Sequence, residues 1–104
     1  MASVIGTDDA LHRLTRLPGW RLDNGAITKE FTFGGFPDAV AFVSALVAPA
    51  EAADHHPDIE IHYRRVLVRY STHSAGGLTP KDFAGAADAE AVARALSAGA
   101  SASE

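Results

Sequence analysis

The chain of 104 residues contains no cysteine. That removes disulfides, thiolate nucleophiles and cysteine-held iron–sulfur clusters, and it limits any zinc site to His and carboxylate donors. A basic excess is also missing. Nine Lys and Arg stand against thirteen Asp and Glu, a formal charge of −4, whereas a nucleic-acid binder carries a basic face. Long apolar runs are absent too: the longest uncharged one, Ala39 to Ala50, includes Ser44 and Pro49 and falls short of the about 20 residues a membrane helix needs. The first residues, Met1 to Asp9, hold neither the basic region nor the apolar core of a secretory signal. The expectation is a cytoplasmic protein with no nucleic-acid or membrane partner. What remains is 47% hydrophobic and 21% charged, too apolar for disorder and ordinary for a globular domain. This length predicts one domain over residues 1–104, ordered from about residue 5 to residue 97. A domain so small buries a limited share of its surface, so association into a homodimer or homotetramer is expected to help.

Thr7, Asp8 and Asp9 read as a helix start, with a hydroxyl for capping and two acids at the positive end of the dipole. Leu11, Leu14 and Leu17 follow at helical spacing, and Pro18-Gly19 stops them. Trp20–Asp23 and Ala26–Phe33 form a predicted hairpin around Asn24-Gly25. From Phe36 the period changes to helical: Phe36, Val40, Val43 and Val47 share a stripe that Ala39, Phe42 and Leu46 widen. Pro49 must bend or restart that helix, since it lacks an N–H and clashes with the carbonyl of Ala45. Asp58–Tyr63 and Arg65–His73 alternate as strands, with Ile59, Ile61 and Tyr63 on one face of the first. Thr79-Pro80-Lys81-Asp82 is a helix start with Pro in the first turn and an acid three after the cap. Phe83, Ala86, Ala89, Val92 and Leu96 give that helix its apolar stripe, and Gly99–Glu104 reads as a frayed tail. The order is α-β-β-α-β-β-α, an α+β fold in which three helices cover one face of a four-stranded antiparallel sheet.

Four of the five histidines lie between positions 55 and 73, among Glu51, Asp54, Asp58, Glu60 and Asp82. If the helix persists, Glu51 and His55 share a face, and a carboxylate there sets the imidazole tautomer. His55-His56-Pro57 closes the helix, placing two imidazoles at a corner open to a cleft. Each residue also has a plain structural reading. The His pair suits a helix C-terminus, Asp82 suits a capping acid, and Glu51 suits a solvated surface. A mononuclear metal site from His55, His56, His73 and Glu51 is chemically possible. Adjacent His residues rarely bind one ion together, and paired His at i and i+4 are absent, so no metal is expected.

The spacing Glu51-x3-His55-His56-Pro57-x5-Tyr63-x9-His73-x8-Asp82 resembles the signature of the pterin-4a-carbinolamine dehydratases. Trp20, Phe31-Thr32-Phe33, Phe36, Phe42, Ser71-Thr72-His73 and Gly77-Leu78-Thr79 fit the same family, so the likeness runs from about Leu11 to Leu96. Pro49 interrupts the helix before the signature, and Arg64 stands where many members have Asn. The resemblance implies dehydration of 4a-hydroxytetrahydrobiopterin or a related pterin to the quinonoid dihydropterin, with the pterin as substrate and no cofactor. It implies proton transfer by His55 and His73, binding and polarisation of the substrate by His56, and orienting or binding roles for Glu51, Asp82 and Thr72. It further implies pterin recycling for an aromatic amino-acid hydroxylase, edge-to-edge sheets in dimers or tetramers, and, as the other reading, a non-catalytic dimerisation or assembly role.

Overall fold

Asp8 and Asp9 in the first turn of α1 (Thr7–Leu14), with His12 and Arg13 in the last, oppose the helix dipole. The computed structural model describes the backbone of residues 4–103 and the side chains of residues 4–96. Thr7 does not cap α1. Gly6 precedes the helix and Thr7 is its first residue, without a side-chain cap bond. Within α1 the buried residue is Ala10, while Leu11 faces solvent. β1 (Arg21–Asp23) and β2 (Ala26–Thr32) pair across Asn24 and Gly25, both with positive φ, the geometry a tight hairpin demands. β3 (Asp58–His62) and β4 (Arg65–Tyr70) make the second hairpin, and β2 joins β4 to complete an antiparallel sheet in the order β1-β2-β4-β3.

Strand alternation decides the faces. Ile27 and Phe31 from β2 and Val66, Val68 and Tyr70 from β4 bury toward the helices with Trp20, Phe42, Leu46 and Phe83. Lys29 lies in the same row as Ile27 and Phe31. It is accommodated because its Nζ reaches Glu90 Oε2 at 2.6 Å and the Pro18 carbonyl at 3.1 Å, and sits 4.8 Å over the Phe31 ring. Trp20 Nε1 donates to the same Glu90 oxygen at 3.0 Å. On the opposite sheet face Arg65 pairs with Glu30 and Arg69 with Asp23.

The long middle helix is broken into α2 (Phe36–Ala45) and α3 (Val47–Ala53). The break at Leu46 puts Pro49 in the first turn of α3, where a missing N–H removes no helical bond. The expected stripe is wider than the face that packs, and Val43 is only partly buried at its edge. Ala39, Phe42 and Leu46 are buried, while Phe36 is 51% and Val47 57% exposed and Val40 also faces outward. The helix is apolar on both sides, and the sheet contacts the side carrying the larger buried residues, Phe42 and Leu46. Phe36–Ala53 spans 18 residues with a mean hydropathy of 1.3; it is broken at Leu46, with one side packed on the core and the other exposed.

β4 ends sooner than its alternation suggests. Thr72 makes an isolated bridge with Gly77, and His73–Ala75 forms a single 3-10 turn, so His73 opens a turn rather than ending a strand. Tyr63 leaves the strand face too: it occupies the β3–β4 turn with φ +56 and is exposed. The last helix, α4 (Pro80–Ser103), starts at the predicted Pro and buries Phe83, Ala86 and Ala89. Its backbone is helical through most of the predicted tail, and Glu104 lies outside the described residues.

Candidate active site

α3 ends because Asp54 takes a left-handed conformation, φ 50 and ψ 44. The amides of Asp54 and His55 turn back to the carbonyls of Glu51 and Ala50, at 3.2 and 3.1 Å. This is a Schellman-type ending, with Asp in the position that Gly or Asn more often fills. It has a direct consequence for the site. The helical register stops before His55, so the predicted Glu51–His55 pairing does not form; Glu51 instead bonds the Nε2 of His56. Both members of that pair are solvent-exposed.

His55 is turned inward, its side chain 11% exposed, and its Nε2 lies 2.6 Å from Asp82 Oδ1. Asp82 is fully buried in the first turn of α4. Its other oxygen, Oδ2, accepts from the Thr72 hydroxyl at 2.8 Å and from the Thr79 amide at 2.9 Å. The Thr79 amide bond is the half of a capping box that the sequence anticipates. The Thr79 hydroxyl, however, bonds Thr72 Oγ1 at 2.8 Å. Thr72 gives its only hydrogen to Asp82, so Thr79 donates and Thr72 accepts. Three donors thus converge on one buried carboxylate, and among the described residues no buried side-chain nitrogen or oxygen lacks a partner. An ionised carboxylate only accepts, so His55 carries its hydrogen on Nε2. Nδ1 is then the ring nitrogen left for other chemistry.

Tyr70, the last residue of β4, lies alongside His55 with ring centroids 6.2 Å apart and planes 21° from parallel. Burial, then the carboxylates of Asp88 and Asp82, push its phenol up to about 12. His73 follows Thr72 directly, is exposed and heads the 3-10 turn. The predicted residues therefore fall into a buried group of His55, Asp82 and Thr72, an exposed pair of Glu51 and His56, and the exposed His73 beside Thr72. Sequence reasoning missed Thr79 and Tyr70 as members of the buried group. Thr79 was visible only as a helix cap, and Tyr70 only as the next residue in a core-facing row. Among the described residues, no three or more His, Asp or Glu come together in a metal-holding arrangement.

Comparison with known proteins gives the family. The family model described as pterin 4 alpha carbinolamine dehydratase matches residues 5–92. The chain belongs to that family. A relative from Picosynechococcus sp. is 48% identical over 83 residues, 80% of this chain and 90% of its own. One from Chloroflexus aurantiacus is 52% identical over 75 residues, 72% of this chain and 81% of its own. Both carry the name "Putative pterin-4-alpha-carbinolamine dehydratase". Among solved structures, a transcriptional coactivator/pterin dehydratase from Brucella melitensis superposes with a TM-score of 0.83 at 34% identity, covering 86% of this chain and 98% of that one. A pterin dehydratase-like protein identified as a RuBisCO assembly factor in the alpha-carboxysome gives 0.58 at 27% identity, over 71% and 86% of the two chains. A similar fold thus occurs in a protein described as an assembly factor as well as in one described as a pterin dehydratase.

Proposed function

We propose that the protein dehydrates 4a-hydroxytetrahydrobiopterin, or a pterin of the same core, by histidine general acid–base catalysis. The observation that carries the reading is the His55–Asp82 pair, 2.6 Å long and closed from behind by Thr72 and Thr79. A structural histidine at a helix end needs no fully buried carboxylate with three donors; an imidazole that must exchange protons in a fixed tautomer does. In the reaction the C4a–O bond breaks and the oxygen takes a proton to leave as water. N5 loses its hydrogen, and its electron pair forms the C4a=N5 bond of the quinonoid dihydropterin. One proton is delivered and one removed, so one general acid and one general base suffice, each worth about 10²–10⁴-fold.

In this reading Nδ1 of His55 and the ring of His73 transfer the protons. His56, with Glu51 on its Nε2, binds and polarises the pterin. Asp82 and Thr72 orient His55 and do not meet the substrate, because both are buried. The pterin is the substrate, and no cofactor or metal takes part. The physiological setting is recycling of a reduced pterin for an aromatic amino-acid hydroxylase, in the cytoplasm. The exposed Phe36, Val40 and Val47 support self-association, because a monomer gains nothing by presenting such a row to water. The second reading is an assembly or dimerisation protein without catalysis. The same exposed row and the carboxysomal relative favour it.

Stopped-flow ultraviolet absorbance on freshly generated 4a-hydroxytetrahydropterin separates the two. The dehydratase reading expects acceleration over buffer by the protein, and none by a folded His55→Ala/His73→Ala variant. A well-folded wild-type protein that does not accelerate the reaction refutes that reading and leaves the assembly role.

A further inference from the structure

α4 passes unusually close to the sheet at Gly85. A Cβ built on this residue would meet Tyr70 Cε1 at 2.5 Å, Cδ1 at 2.8 Å and Cζ at 2.9 Å. Carbon atoms in contact settle about 3.5–4.0 Å apart, so any side chain here must displace the ring or the helix by about 1 Å. The ring has aromatic neighbours on its other sides. Tyr70 is 3% exposed, with Trp20 at 5.9 Å between ring centroids and His55 at 6.2 Å. The helix would have to yield, and Asp82 sits on the same helix three residues earlier. Residues i and i+3 of a helix lie on neighbouring positions of one face, so the approach that Gly85 permits also sets how near Asp82 comes to His55.

We propose that Gly85 and Tyr70 form a positioning pair: the bare helix surface at Gly85 seats the Tyr70 ring, and this contact fixes the separation at which Asp82 holds His55. The inference rests on the dehydratase reading for its catalytic consequence, though not for its geometric one. Neither residue belongs to the histidine signature, and neither touches the reacting atoms. The contact explains why a glycine, a poor residue for a helix interior, stands in the second turn of α4. It also gives Tyr70 a role apart from its hydroxyl, since the ring is wedged between the helix backbone and the His55 imidazole.

The test uses the full chain and three variants, Gly85→Ala, Tyr70→Leu and the double variant. Two quantities are read: long-range 1H–15N NMR of the histidine rings, which identifies the His55 tautomer and its hydrogen-bonded Nε2 proton, and kcat and KM for pterin dehydration. Gly85→Ala is expected to fold, because alanine favours helix, yet to shift or broaden the His55 Nε2 proton. It should lower kcat by about 10–100-fold, the loss a 1 Å misplacement brings, while KM stays within about threefold. The double variant, in which a smaller side chain makes room for the methyl group, should recover the His55 signal and part of kcat relative to Gly85→Ala. A purely structural glycine would lower stability and leave the tautomer and the kcat-to-KM split of the folded fraction unchanged. A folded Gly85→Ala protein with the wild-type His55 signal and kcat overturns the proposal. If Gly85→Ala does not fold, the double variant decides: a folded double variant with the His55 signal supports the pair, and one without it refutes the pair. Absence of dehydration by the wild-type protein refutes the dehydratase reading, while the ring-nitrogen signals still judge the positioning pair.

Discussion

Replacing Asp82 by Asn keeps the shape of the side chain and removes its charge, which isolates the electrostatic part of the His55–Asp82 pair. The native carboxylate accepts from His55 Nε2, the Thr72 hydroxyl and the Thr79 amide at 2.6, 2.8 and 2.9 Å. Asn has one accepting oxygen. If that oxygen keeps Thr72 and Thr79, its amide group faces His55 Nε2, and two donors oppose each other until His55 moves its hydrogen to Nδ1. If the oxygen faces His55, the buried Thr79 amide is left without an acceptor, at about 1–3 kcal/mol. Three charge-assisted bonds also become neutral ones, each weaker by about 1 kcal/mol. Relief from burying a charge offsets part of this loss. The net expectation is a destabilisation of about 1–3 kcal/mol, or a fall in Tm of about 5–20 °C for a domain of this size. The first arrangement is the cheaper one, so the variant should carry the wrong tautomer and lose about 10²–10⁴-fold in kcat for pterin dehydration. Guanidinium denaturation, stopped-flow absorbance and histidine 15N shifts measure the three effects separately. A folded Asp82→Asn protein with kcat within about threefold of wild type, while His55→Ala is inactive, would refute the claim that this carboxylate sets the tautomer.

The Tyr70 phenol, pushed up to about 12 by burial and then by Asp88 and Asp82, holds its proton more tightly in the folded state than in the unfolded chain, so ionisation of the unfolded chain costs stability. Its contribution is complete below the usual tyrosine value of about 10 and is lost as pH rises from there toward 12. Denaturation midpoints at pH 9 and pH 11 should therefore diverge more for wild type than for Tyr70→Phe, and equal divergence would count against burial as the cause. Asp54 holds a left-handed conformation at the end of α3, so Asp54→Gly is expected to stabilise by about 0.5–1 kcal/mol in urea titrations; a loss of stability would show that the carboxylate itself is needed. A Phe36→Glu/Val47→Glu variant should be monomeric by light scattering where wild type is oligomeric, and an unchanged mass would move the interface elsewhere. Dialysis against a chelator should leave dehydration unaffected, and a loss restored by added metal would contradict the metal-free mechanism.

Local chemistry explains what was legible in the sequence. Asn24-Gly25 places the first turn because few residue pairs accept positive φ in succession, and Pro49 announces the helix break because its ring cannot follow Ala45 within a helix. Thr79-Pro80 marks the start of α4, and the alternation from Arg65 onward identifies which side chains of β4 face the helices. These signals sufficed for the α+β order and for the histidine signature. They failed where two faces of one element were equally apolar. Phe36, Val40 and Val47 satisfy a helical stripe as well as Ala39, Phe42 and Leu46 do, and only packing on the sheet selects the second set.

The site divides along the same line. Sequence alone determined the element order, the residue types at the signature positions and the capping acid at Asp82, because each is set by spacing and by backbone preferences within a few residues. Only the tertiary structure decided which imidazole each carboxylate serves. The left-handed turn at Asp54 rotates His55 away from Glu51, and the close approach of α4 at Gly85 brings Asp82 to it across 27 residues of chain. A hydrogen bond of 2.6 Å depends on where two elements rest against each other. That distance is fixed by packing, which no local pattern encodes.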